Sequence, residues 1–268
     1  MPYDIATAML GKEHLTSADR RDLEKRHLLQ SDPYTDHIFH LPGAVHLYAT
    51  VSRFVVDLNR APHDLSANGV VKSNDFDGNP LYPAAAEPDR TEREHRIRRY
   101  WAPFHRQLEQ QLATASVDLL VDAHSMTPTG PVIGPDHGRP RPAFTLGNLG
   151  SESGECLLNP GWVTISPAIA RELAARLDAY AADLLEDWPA DMRRVMLNTP
   201  FAGGGTLRTY CDPQREHRVA GFAIEINRSL YLDSAGEPKW REIERLNRVM
   251  RTLVDDALRA VEAARSGG

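Results

Sequence analysis

Residues 117–125 (VDLLVDAHS) place two polar side chains at the end of an apolar run. Asp122 and His124 follow a stretch whose length and continuous apolarity are typical of a strand in a sheet covered on both faces. A neutral imidazole can bind zinc, and a nearby carboxylate can fix its tautomer. Taken alone, an Asp-x-His segment at a strand end is more often a satisfied polar pair. A metal ligand at His124 is therefore a hypothesis that needs support from other segments.

Residues 219–227 (VAGFAIEIN) carry a carboxylate inside an apolar strand pattern. Burial of Glu225 costs free energy unless the side chain is paired, bound to a metal or titrating. As a general base, Glu225 could take a proton from metal-bound water and pass it to a leaving amine. The alternative is an ion pair with Arg208 or Arg228. The segment thus indicates either the base of a hydrolase or a structural ion pair.

Residues 52–60 (SRFVVDLNR) could bind a carboxylate. A guanidinium makes a two-pronged, charge-assisted contact with a carboxylate, and an amide adds a further donor, which suits Asn59 and Arg60. The alternative, of about equal weight, is a solvated strand end in which Asp57 and Arg60 form an ion pair.

Residues 198–210 (NTPFAGGGTLRTY) contain three consecutive glycines, which would let the backbone approach a ligand closely. Arg208, which follows them, could supply a second cation for a carboxylate. The glycines do not indicate a nucleotide site, because neither a Lys-Ser/Thr pair nor a helix pattern follows them. A serine nucleophile elbow is not indicated either, since GSESGE has no flanking strand and helix.

These segments require strands that end together and helices that cover them. Hydrophobic period and capping residues predict helices at residues 13–30, 89–115, 166–186 and 240–264. Runs of β-branched or apolar residues predict strands at residues 46–52, 54–59, 117–122, 194–198 and 219–227. Residues 126–163 are predicted to be long loops rich in proline and glycine. The alternation of predicted strands and helices along the chain predicts an α/β fold with a mixed, mostly parallel central sheet flanked by helices on both faces.

Bulk properties exclude several classes of protein. At 268 residues the chain suits one α/β domain, and we predict a single domain over residues 1–268. A formal net charge of −6 makes nucleic acid an improbable partner. The sequence lacks a secretory leader and an apolar run near the roughly 20 residues of a membrane span, so we expect a cytoplasmic protein without a membrane partner. Two cysteines cannot build a disulfide framework. Nothing in the sequence encodes the oligomeric state.

Eight segments, taken in order, resemble the N-formylglutamate amidohydrolase family, which is related to zinc carboxypeptidases and aspartoacylases. They are SDPYTDHIF (31–39), SRFVVDLNR (52–60), FDGNPLY (76–82), YWAPFH (100–105), VDAHS (121–125), LGNLGSESGEC (146–156), NTPFAGGGTLRTY (198–210) and AIEINRSLYLD (223–233). Each is modest alone, whereas eight in the same order are specific. The resemblance implies a zinc-carboxypeptidase-like fold. It also implies metal-dependent hydrolysis of the amide bond of an N-acyl acidic amino acid such as N-formylglutamate, with zinc or another divalent metal as cofactor.

The resemblance also implies roles for individual residues. His124 would be a metal ligand and Glu225 the residue that activates water. Asp32 or Asp36 of SDPYTD would be a further metal or site carboxylate, and spacing does not choose between them. The side chains implied to bind substrate are Arg53, Asn59, Arg60, Arg208 and Asn227.

The first segment of the family has no close match in this chain. The family usually opens with Pro-His-x-Gly at the end of its first strand, and that histidine is a metal ligand. The corresponding stretch here is AMLG, which puts Met9 at the histidine position. Methionine is a poor ligand for a borderline divalent ion, and Glu13 or His14 could substitute. The alternative is a non-catalytic homologue that binds an acidic amino-acid derivative, so the expected partner is a small N-acyl amino acid in both cases.

Overall fold

The computed structural model describes residues 1–114, 117–158, 161–190 and 192–266. Backbone contacts divide the chain into two compact units. Unit 1 consists of Met1–Pro33, Leu47–Gln111 and Pro131–His137, and unit 2 consists of Tyr34–His46, Leu112–Gly130 and Gly138–Gly268. The single domain over residues 1–268 stays a prediction.

Helices and strands both contribute to the fold. The α-helices are α1 (Tyr3–Leu10), α2 (Ser17–Gln30), α3 (Thr35–Ile38), α4 (Arg90–Arg96), α5 (Ala102–Thr114), α6 (Pro167–Tyr180), α7 (Gly205–Tyr210) and α8 (Trp240–Ser266). A π-helical turn joins α4 to α5 at Ile97–Trp101, and 3₁₀ helices lie at Ala84–Ala86, Ala182–Leu185 and Arg228–Leu230. The strands are β1 (Leu119–Met126), β2 (Phe144–Gly147), β3 (Val195–Leu197) and β4 (Ala220–Asn227).

Unit 2 contains the sheet, whose described strands lie in the order β1-β4-β2-β3. β1 runs parallel to β4, and β2 runs parallel to β3, whereas β2 is antiparallel to β4. Its buried core includes Phe222 of β4, Leu173 of α6 and Met250 of α8. The predicted α/β class with a mixed, mostly parallel sheet flanked by helices is confirmed.

The two long helices of unit 2 begin and pack as their sequences predict. The Ser166 side chain accepts a hydrogen bond from the Ile169 N–H, and Pro167 occupies the first turn of α6, where a missing N–H costs nothing. α8 buries one stripe at helical spacing, which includes Leu246 and Leu253. No helix in the described parts of the chain is long and apolar enough to cross a membrane.

Unit 1 has its own small apolar core. Ile5 and Met9 of α1 pack there with Leu23 of α2 and Phe54. α2 starts with a capping box, in which Thr16 and the residue three positions later exchange side-chain to backbone hydrogen bonds. The stretch AMLG therefore belongs to a helix and a core, not to the end of a strand.

Three predictions about local structure are wrong. Residues 46–59 form turns and loops instead of strands; Val55 and Val56 are fully buried there, so burial inside a loop explains the apolar pattern. Residues 126–163, predicted to be loops, contain the short strand β2. The glycine run leads directly into α7, although its sequence shows no helical period.

Candidate active site

A row of polar side chains crosses the sheet of unit 2. His124 of β1 is the register partner of Glu225 of β4, and Glu225 is in turn the partner of Thr145 of β2. Directly paired residues on neighbouring strands project to the same face of a sheet, so these three side chains share one face. The structure thus brings together the imidazole and the carboxylate that the sequence singled out.

The imidazole of His124 is held from within its own strand. Its Nε2 lies 2.9 Å from Oδ1 of Asp122, two residues earlier. Successive side chains of a strand alternate between faces, so residues two apart can meet in this way. Because a carboxylate only accepts hydrogen bonds, this contact places the ring proton on Nε2 and fixes the orientation of the ring.

Glu225 combines a rigid backbone with a partly exposed side chain. The flanking Ile224 and Ile226 are fully buried, whereas Glu225 itself is half-buried. The strand therefore packs one face into the core and presents the carboxylate on the other, where water or a substrate can reach it.

Two arginines near the ends of these strands are buried. The Nε of Arg228, which directly follows β4, donates to Oγ of Ser125 at 3.0 Å. Arg141 donates to the Thr127 hydroxyl at 3.0 Å and lies over the ring of Phe201. The sequence indicated Arg228 only as an ion-pair partner and did not indicate Arg141. Arg141 lies in a proline-rich loop, where no hydrophobic periodicity shows which side chains are buried.

Asn227, predicted to bind substrate, is part of the scaffold. It is fully buried, and its amide nitrogen donates to the carbonyls of Arg141 and Pro142 at 3.2 and 3.0 Å. Its Oδ1 accepts from both the N–H and the hydroxyl of Ser229. These contacts cap the 3₁₀ turn that follows β4, which gives Asn227 a structural role; its predicted role in substrate binding stays a prediction.

Arg208 lies on α7 and is exposed. The glycine run before it serves packing. Gly203 has a φ of +128°, and a Cβ at this position would come within 2.9 Å of Leu149 and Leu207. At least one of the three glycines is thus explained by backbone conformation and packing alone.

Unit 1 holds a second charged cluster, in which Arg53 and Lys72 share one carboxylate. Nη2 of Arg53 and Nζ of Lys72 lie 2.9 and 3.2 Å from the same Oδ2 of Asp57. Burial raises the pKa of Asp57, but the two cations outweigh it and hold that pKa well below its usual range. Burial lowers the pKa of Lys72 to about 8, against the opposing effect of Asp57. Sequence reasoning did not find Lys72.

The other predicted residues of unit 1 surround this cluster. The N–H of Asn59 donates to Oδ1 of Asp57 at 3.1 Å, and the Arg60 side chain is exposed. Nη1 of Arg53 lies 3.7 Å from Asp32. The sequence predicted an ion pair between Asp57 and Arg60, whereas in the structure Asp57 forms ion pairs with Arg53 and Lys72.

A preassembled metal site is not seen among the described residues. Within the described ranges, no group of three or more His, Cys, Asp or Glu side chains is arranged to hold a metal ion. Glu13 and Asp36 are exposed, and Asp36 lies 3.9 Å from His37. Met9 is buried in the core of unit 1. Because structural and catalytic zinc sites use at least three protein ligands, a zinc site that includes His124 stays a prediction.

Comparison with known proteins identifies the family. The family model for N-formylglutamate amidohydrolase matches residues 8–232. The chain belongs to the N-formylglutamate amidohydrolase family. An N-formylglutamate deformylase of Pseudomonas aeruginosa is 32% identical over 244 residues, which cover 84% of this chain and 82% of the relative. An N-formylglutamate deformylase of Pseudomonas putida is 27% identical, over 75% of this chain and 68% of the relative.

The chain is accordingly an amidohydrolase, which disfavours the non-catalytic alternative. Among solved structures, the N-formylglutamate amidohydrolase from Ralstonia eutropha JMP134 aligns with a TM-score of 0.59 at 20% identity, covering 91% of this chain and 87% of that one. This similarity supports the fold that the family membership implies.

Proposed function

We propose that this amidohydrolase removes the formyl group from N-formylglutamate or a closely related N-acyl acidic amino acid. The names of the two deformylase relatives support the substrate class. The observation that carries the proposal is the register of β1 and β4, which sets His124 beside Glu225 on one face of the sheet.

In the proposed reaction, water adds to the formyl carbon and the C–N bond breaks, which yields formate and the free amino acid. Glu225 takes the proton from the attacking water and delivers it to the leaving nitrogen. Asp122 orients the His124 ring beside this carboxylate. The partly exposed face of β4 gives water access to Glu225, while the buried face keeps the strand in place.

Arg53, Asn59, Arg60 and Arg208 stay proposed as the side chains that bind the substrate carboxylates. The forked guanidinium suits this task because it can donate two parallel, charge-assisted hydrogen bonds. In the structure, Nη2 of Arg53 donates to Oδ2 of Asp57 at 2.9 Å, which holds this guanidinium in place.

Zinc stays a prediction from the family resemblance, and none of these steps depends on it. Metal analysis of the purified protein tests the prediction directly, with about one divalent ion per chain as the expected content.

The experiment that tests the function is steady-state deformylation of N-formylglutamate by the wild type and by Glu225→Gln. Loss of a positioned general base should lower kcat by about 10²–10⁴-fold. Glu237→Gln is the matched control, because it makes the same change at an exposed position of unit 2. A Glu225→Gln enzyme with wild-type kcat would remove Glu225 from the mechanism. N-acetylglutamate and N-formylleucine, tested in parallel, separate the choice of acyl group from the choice of amino acid.

A further inference from the structure

Lys72 is one of the most deeply buried cations of unit 1. Only 1% of its surface is exposed, although lysine is almost never fully buried unless it is paired. Its Nζ donates to the carbonyl of Asn68 at 3.3 Å and pairs with Asp57. The buried charge of Lys72 is thus compensated mainly by its ion pair with Asp57.

That contact ties together the segment predicted to bind substrate. Besides the two cations, Asp57 accepts the N–H of Asn59 through Oδ1, and its own N–H donates to the carbonyl of Val70 at 2.7 Å. Two residues beyond Val70 lies Lys72 itself. Asp57 therefore links the backbone before Arg60 to the loop that contains Lys72.

An aromatic ring supports the same two cations. The guanidinium carbon of Arg53 lies 4.7 Å from the ring centroid of Phe76, and Nζ of Lys72 lies 5.1 Å from it. Cations within about 6 Å of a ring face are attracted to it. Lys72 and Phe76 together restrict the positions that the Arg53 side chain can take.

The cluster contains cationic and anionic side chains in equal number. Arg53, Lys72 and Arg60 act on Asp57, which the low pKa keeps ionised at neutral pH. The other carboxylate near Arg53 is that of Asp32. Asp64 also interacts with Arg60 and Lys72, so three cations face three carboxylates. The expected affinity for an anionic ligand therefore rests on the forked geometry of the guanidinium groups and not on an excess of positive charge.

We propose that Lys72 is a positioning residue, which acts through Asp57 and Phe76 to hold Arg53 and the Asn59–Arg60 backbone in place as the anion-binding part of unit 1. This inference rests on the proposed function, in which Arg53 and Arg60 bind the substrate carboxylates. Lys72 does not need to touch the substrate for this role, and its burial suits an action through its neighbours.

A pH dependence should accompany this role. Deprotonation of Lys72, whose pKa is about 8, would remove one of the two cations that hold Asp57. The charged groups that face Lys72 are Asp57, Arg53, Arg60 and, more distantly, Asp64. Arginine and aspartate side chains ordinarily do not titrate between pH 7 and 9, whereas a lysine with a pKa of about 8 does.

The test compares Lys72→Met and Lys72→Arg with the wild type in deformylation of N-formylglutamate. Methionine keeps an unbranched side chain without the charge, and arginine keeps the charge. The matched control is Arg96→Met, which removes another buried cation of unit 1, one that contacts Tyr82 and Glu92. We expect Lys72→Met to raise KM at least tenfold with kcat within about threefold of the wild type. Arg96→Met should leave KM within twofold, and Lys72→Arg should restore most of the affinity.

The pH profile keeps the inference testable if Lys72→Met does not fold. Between pH 7 and 9 the protonated fraction of a group with a pKa of about 8 falls about tenfold, so the wild-type KM should rise by up to that factor, while KM of Lys72→Arg stays flat. A flat wild-type profile, or equal KM increases in Lys72→Met and Arg96→Met, would overturn the inference. Absence of wild-type activity on N-formylglutamate would instead refute the proposed substrate, which keeps the two failures distinct.

Discussion

Replacement of Asp57 by asparagine should lower the free energy of unfolding more than any other single polar substitution in the Arg53–Asp57–Lys72 cluster. Asp57 is 3% exposed and accepts charge-assisted hydrogen bonds from Arg53 and Lys72. Asparagine has nearly the same shape, but it carries no charge and presents an amide that can itself be a donor. The substitution therefore leaves a fully buried ammonium beside a guanidinium without their shared counter-ion.

The expected cost follows from these contacts. Asparagine can keep its oxygen toward the N–H of Asn59, so that bond survives. Two hydrogen bonds to charged groups are lost, each worth about 1.5–3 kcal/mol. Removal of one partner from a buried ion pair typically costs about 3–5 kcal/mol, which agrees with that sum. At about 2–4 °C per kcal/mol, the melting temperature should fall by roughly 10 °C.

The assay is urea unfolding at pH 7 of the wild type, Asp57→Asn, Lys72→Met and the double variant. If the two side chains interact as the 3.2 Å distance indicates, the double variant should be at least ~1.5 kcal/mol more stable than the sum of the single effects predicts. Additive effects would refute the interaction. A cost below ~1 kcal/mol for Asp57→Asn would mean that the carboxylate is solvated and that the cluster is not a fixed framework.

Two further predictions concern unit 2. Asp122→Asn should lower kcat for deformylation tenfold or more with little change in KM, because an amide can hold His124 with the opposite tautomer; an unchanged kcat in steady-state assays would contradict an orienting role. Asp256 accepts from Tyr180 of α6 and from Arg176 and Arg259, and these hydrogen bonds lower its pKa to about 2. A lowered carboxyl pKa stabilises the fold above the unfolded value near 3.8 and stops doing so as pH falls toward 2, so the melting-temperature gap between wild type and Asp256→Asn should close from pH 6 to pH 2.5. If differential scanning fluorimetry shows the same melting-temperature difference at both pH values, the charge of Asp256 does not stabilise the contact between α6 and α8.

The placement of the candidate residues in unit 2 could be predicted from the sequence because strand periodicity is a local pattern. An Asp-x-His segment puts both side chains on one face of a strand, and a lone glutamate in an apolar strand marks an exposed position. Both patterns hold for Asp122, His124 and Glu225. Periodicity does not encode which strands are neighbours, so the pairing of β1 with β4 was not predicted.

The cluster in unit 1 could not be read in the same way, because its geometry depends on loops. Lys72 meets Asp57 across fifteen residues of turn-rich chain, and no repeat in the sequence encodes such a contact. The strand prediction for residues 54–59 was wrong for a related reason. Val55 and Val56 are apolar because they are buried inside a loop, not because they belong to a β-strand. β2 was missed because four residues between proline-rich segments are too few to establish an alternating pattern.

The position of β4 in the sheet has a consequence for how this enzyme could acquire new substrates. β4 is paired on both sides, with β1 and with β2, so the backbone that carries Glu225 is hydrogen-bonded along both edges. Insertions or substitutions in the surrounding loops can therefore reshape what the enzyme admits without shifting the carboxylate. Substrate preference could then change among relatives while Glu225, the proposed general base, keeps its position.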